Sequence, residues 1–157
     1  MASEWHTLAS QKLFLAQTLL RQRPEQPGPA HEAHLQGCIE LALRARQTLL
    51  ALLANYYQHK HQRPSNLAEL QALIGAEATD SRALAELENQ AGSWWNHLEQ
   101  LAVHQSRPPA KKKTVSDDNI IAVAVDTGPE RSPEALERTL AGMKVFLADL
   151  AERHEEW

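Results

Sequence analysis

The chain has 157 residues, 43% of them hydrophobic and 23% charged, with a formal net charge of -4. That length admits one domain with a substantial core and is short for two, and the composition argues against disorder over most of its extent. The mild negative charge disfavours a protein held to nucleic acid or to a membrane surface by its overall field, an argument that a local basic patch would escape.

The opening "MASEWHTLASQK" has no basic stretch followed by an apolar one, so no signal peptide is expected. Ser3 can cap a first helix on which Trp5, Leu8, Leu15 and Leu19, with Ala9 and Ala16, fall toward one face, and "RPEQPGP" should end it near Arg21. A long central helix is expected from about Ala30 to His61. Its apolar positions Leu35, Cys38, Ile39, Ala42, Ala45, Leu49, Leu52, Leu53 and Tyr56 step by threes and fours. Cys38 is the only cysteine, which leaves no partner for an intramolecular disulfide.

Pro64 then breaks the pattern, Asn66 with Glu69 resembles a capping box, and Gly75 suits a helix stop, so a short helix belongs between them. A fourth helix is expected from Asp80 to about Gln105, carrying Leu84, Leu87, Trp94, Trp95, Leu98 and Leu101, with Gly92 as a kink or Ser93 as a restart. The last helix starts at Ser132 and Pro133 and repeats Leu136, Leu140, Met143, Leu147 and Leu150. The inventory is an all-α antiparallel bundle of four main helices and one short one, in one domain over residues 1–157. No apolar run approaches the roughly 20 residues that span a bilayer, so a cytoplasmic protein without a membrane partner is the default.

The connection over about 106–131 resists this description. Its first part, 106–119, is polar, proline-containing and basic, and reads as a flexible linker. "NIIAVAV" that follows is apolar, with Ile121, Val123 and Val125 on one face of an extended chain and Ile120, Ala122 and Ala124 on the other. A lone strand cannot satisfy its own backbone, which leaves three outcomes: an irregular strap in a bundle groove, edge pairing with a second copy or a partner, or one more helical turn. A connection this long would also let the final helix cross the bundle and enter from the other end.

"ASQKLFLAQTLL", "ELALRARQTLLALLANYY" and "NIIAVAVD" before a Ser-Pro helix start together resemble a small bacterial family of uncharacterised all-helical proteins, over most of the chain. The resemblance implies a small cytoplasmic helical protein. No activity or binding residue is established in that family to carry over.

Candidate chemistry is sparse. His31, His34 and Cys38 share one side of a helix and are the only metal candidates worth naming, yet zinc needs a further ligand and Cys38 sits where the apolar face wants a small residue. No glutamate is followed by histidine three residues later, as di-iron bundles require, and no Gly-rich phosphate loop is present. No arginine has the spacing to histidine of HEPN-type nucleases. No catalytic residue and no cofactor are therefore expected. The expected function is contact with another protein or a second copy, through Ile120, Ile121, Val123 and Val125 or through Trp94 and Trp95, tryptophan being common where binding energy concentrates. The rival is nucleic-acid association through Tyr57, His59, Lys60, His61 and Arg63 with Lys111, Lys112 and Lys113, since aromatic and basic groups together can stack on bases and contact phosphates.

Overall fold

A computed structural model describes residues 3–108 and 128–155, and the run 120–125 and the lysine triplet 111–113 lie outside that range. Six helices and no strand occur among the described residues: α1 (Glu4–Arg21), α2 (Pro29–Tyr56), α3 (Leu67–Ile74), α4 (Thr79–Asn89), α5 (Trp94–Gln105) and α6 (Pro133–Glu155). The all-helical bundle expected from the periodicity is what forms, with one helix more.

The start and stop signals account for most boundaries. The Ser3 hydroxyl accepts from the Trp5 N–H at the head of α1, the Asn66 side chain accepts from the Glu69 N–H at α3, and the Ser132 hydroxyl accepts from the Ala135 N–H at α6. The expected fourth helix is divided. Gly92 has φ +83, a left-handed geometry that breaks the helical path. Ser93 then restarts it by accepting from the Asn96 N–H while donating its own hydroxyl to the Leu87 carbonyl.

The central helix stops at Tyr56, short of the expected His61. His59 N–H reaches back to the Ala54 carbonyl and Gln58 N–H to the Asn55 carbonyl, a Schellman closure with Gln58 at φ 69 in the position usually given to glycine. Without a glycine there, nothing in the sequence marks the stop.

Side-chain contacts fix the directions. Gly142 lies against Trp94 and Gly128 against the His104 ring, and His97 Nδ1 meets Thr139 Oγ1 at 2.5 Å, so α5 and α6 run antiparallel. Arg46 reaches Glu99 and Gln105 reaches Glu40, which sets α2 antiparallel to α5. Ser3 N–H meets Glu155 and His6 Nε2 lies 3.2 Å from the Leu147 carbonyl, which sets α1 antiparallel to α6. Four helices thus alternate around the bundle in the order α1, α2, α5, α6, with α3 and α4 inserted between α2 and α5. The final helix does not enter from the far end, as a long crossover would have it. The chain leaves α5 and re-enters before α6 at one end of the bundle, because antiparallel neighbours join where they meet.

The core is one cluster in which Ala9, Leu13, Ala16 and Leu20 of α1 meet Leu49, Leu52 and Leu53 of α2 and Leu140, Met143 and Leu147 of α6. Leu15, expected on the buried face of α1, is instead 46% exposed. It sits about 200° round the helix from Leu13, which carries the stripe.

Gln58→Gly should stabilise the protein by about 0.5–1 kcal/mol, since it removes the cost of a side chain in the left-handed region. A thermal melt higher than wild type by roughly 2 °C is the expected reading.

Candidate functional site

The densest polar arrangement joins the ends of helices that are far apart in sequence. Tyr57 caps the C-terminus of α2, Asp80 stands in the first turn of α4, and Arg153 and His154 in the last turn of α6. Each charge sits at the helix end whose dipole favours it, the Asp80 carboxylate at an N-terminus and the Arg153 guanidinium at a C-terminus.

Asp80 is 0% exposed. Its Oδ1 accepts from Arg153 Nη2 at 2.6 Å, and its Oδ2 accepts from the Tyr57 hydroxyl at 2.9 Å and from His154 Nε2 at 2.8 Å. A carboxylate that already accepts from a phenol can only accept from the imidazole too, so Nε2 of His154 carries the proton. The His154 ring stacks on Tyr56 with centroids 4.4 Å apart and planes 9° from parallel, and meets Tyr57 edge-on. The Tyr56 hydroxyl donates to Glu155 Oε1 at 3.0 Å, and the same oxygen takes the Ser3 N–H at 2.8 Å. One network therefore ties α1, α2, α4 and α6.

Burial alone would raise the Asp80 pKa. Hydrogen bonds from His154, Arg153 and Tyr57, with the Arg153 charge, outweigh it and hold the carboxyl below its ordinary value of 3.8. Burial, the bond to Glu155 and the nearby carboxylates push the Tyr56 phenol up. With its oxygens engaged and its proton affinity lowered, Asp80 is poorly suited to act as a base. The arrangement holds segments together.

A smaller cluster orders the entry to α6. His97 Nε2 donates to the Glu130 carbonyl at 2.7 Å, which leaves Nδ1 to accept the Thr139 hydroxyl. Arg131 pairs with Glu32 at the start of α2. Gly128, at φ +70, has no room for a β-carbon, which would lie 2.7 Å from His104 Cδ2.

The residues singled out in the sequence are dispersed. His31 Nδ1 is engaged by the Pro24 carbonyl and His34 Nδ1 by the Ala30 carbonyl, while Cys38 is 1% exposed with its thiol pushed up to about 12 by burial. Among the described residues no group of three or more His, Cys, Asp or Glu is arranged to hold a metal ion. Trp94 and Trp95 are both core residues, 8% and 1% exposed, packed edge to face, with Phe146 against one and the Arg46 guanidinium over the other. Neither presents a contact surface, because α5 turns both indoles toward neighbouring helices. Of the basic segment, Tyr57 is committed to Asp80 and Arg63 lies over the Trp5 ring at 5.2 Å. Lys60 and His61 are exposed, and His59 is half-buried.

Two features escape a reading of the sequence. Asp80 is visible there only as a helix start, and its partners lie up to 74 residues away. Phe14, 66% exposed beside Leu15, is the other. These two stand over a shallow groove of about 700 Å³ that His6, Thr7, Ser10 and Gln11 also line.

Asp80→Ala should cost about 2–4 kcal/mol, read as a lower urea midpoint; the figure sits slightly under the range for breaking a fully buried pair because Arg153 keeps part of its hydration. Because the folded pKa is depressed, the Asp80 contribution is present above pH 3.8 and is lost as pH falls through the lower folded value. The variant should therefore show a shallower loss of stability in that acid window than wild type.

No helix among the described residues is long and apolar enough to cross a membrane. No curated protein and no solved structure matches the chain. A family model does match, over residues 1–157, and the chain belongs to the family of unknown function DUF6586.

Proposed function

We infer that this chain works in the cytoplasm through contact with another protein, without chemistry of its own, and that the outer face of α1 is its contact surface. The observation that carries this is the exposure of Phe14 and Leu15, at 66% and 46%, over a groove on the side of α1 that faces away from the core. Large apolar side chains clustered at the surface are the usual mark of an interaction site. The run Ile120, Ile121, Val123 and Val125 remains a second contact element in this proposal. Trp94 and Trp95 do not, since their surfaces are spent within the core.

Nucleic-acid association through Lys60, His61, Arg63 and Lys111 to Lys113 is the weaker reading. Tyr57 would have to abandon a buried carboxylate to stack on a base, and Arg63 already covers an indole. A salt-dependent shift with single-stranded RNA, lost in Lys60→Glu, would reverse this ranking.

A photo-reactive amino acid placed at position 14 in cells should give discrete protein adducts, whereas the same probe at the exposed Glu77 should give none. Equal labelling at both positions, or none at either, would remove α1 from the reading.

A further inference from the structure

The exposed side of α1 has an order that the contact reading leaves unused. Glu4, Thr7, Gln11, Phe14, Thr18 and Arg21 follow one another at spacings of three and four, the seam of a heptad repeat. All are exposed except Thr18, which is half-buried. Ser10 and Leu15 flank the seam and are exposed as well. Both threonines turn their hydroxyls back onto their own helix, Thr7 to the Ser3 carbonyl and Thr18 to the Phe14 carbonyl. What they offer a neighbour is therefore a methyl group.

Turned end for end, the seam complements itself in charge at its two ends. Laid antiparallel on a copy of itself about an axis between residues 12 and 13, it sets Glu4 opposite Arg21, Thr7 opposite Thr18 and Gln11 opposite Phe14, with Leu15 of both copies along one edge and Ser10 of both along the other. Glu4 and Arg21 stand about 25 Å apart along the helix, at a rise of about 1.5 Å per residue. A two-fold contact would join them twice, once at each end. Between those ends the seam carries no charge, so no like charges face each other across the axis. Lys12, the remaining charged residue of α1, lies off the seam and is half-buried. Neither Glu4 nor Arg21 makes an ion pair among the described residues.

We propose that the partner on this face is a second copy of the chain, in an antiparallel α1–α1 contact centred on Phe14 and Leu15 and closed at both ends by Glu4–Arg21 pairs. This rests on the contact reading above and adds the identity of the partner. The contact is isologous, as two-fold dimers are, since the same patch serves both copies. Two large apolar side chains from each copy make a small centre, so the dimer is weak and reversible.

Sedimentation equilibrium of the full chain over a wide concentration range tests it. Wild type should pass from monomer to dimer, and Phe14→Glu, a change at an exposed position, should weaken association about tenfold or more. Glu4→Arg and Arg21→Glu should each weaken it about threefold, and the double exchange should restore it, because the ends then pair in the opposite sense. Thermal melts of the same variants report whether the fold is intact. A chain that stays monomeric throughout overturns the dimer, and position-14 adducts to a different protein would then leave the contact reading standing. A dimer indifferent to Phe14→Glu, or single charge changes that the double exchange does not rescue, overturns it as well. So does a monomer that loses stability in Phe14→Glu, since the face would then be covered within one chain.

Discussion

A carboxylate removed from water has to be compensated, and at Asp80 that requirement organises one end of the bundle. Full enclosure of a charge is tolerated only when its partners arrive with good geometry. Here the partners are a phenol from the end of α2 and a guanidinium and an imidazole from the end of α6. The start of α4, the stop of α2 and the axial position of α6 are fixed together by one side chain. With α6 in that position, its leucines share one core with those of α1 and α2.

The same constraint accounts for a local cost. Gln58 occupies a left-handed conformation immediately after Tyr57. That turn ends α2 where the tyrosine pair can meet Asp80 and Glu155 rather than running on past them. Strain of this kind persists where the surroundings over-determine the backbone. The polar end of the molecule is thus occupied with its own cohesion, whereas the outer side of α1 has apolar groups with no such employment.

Much of the fold is legible in the sequence because its signals are local. Ser3, Asn66 and Ser132 each cap the helix that their position suggests. Pro24, Pro27 and Pro64 fall in the breaks between helices, and Pro29 opens α2. What stays hidden depends on distance in the chain or on a missing marker. No pattern in "ATDSRAL" announces that its aspartate will meet Arg153 and His154, because tertiary charge pairs leave no periodicity. The only hint is the preference of an acid for a helix start and of cations for a helix end. Leu15 departs from its expected face because a helix with leucine at 8, 13, 15, 19 and 20 offers more apolar positions than one face can bury. Residue type alone leaves the two tryptophans open between core and contact surface, and their neighbours place both in the core.

The return of the chain to its point of departure, between the end of α5 and Gly128, has a consequence for how this protein can vary. Two antiparallel helices that meet at one end need only a few residues to join them, and the entropy of closing a loop grows slowly with its length. Because the ends to be joined already lie side by side, a much shorter bridge between Ser106 and Gly128 would still reach, and a splice that shortens the chain there keeps the two anchors in register.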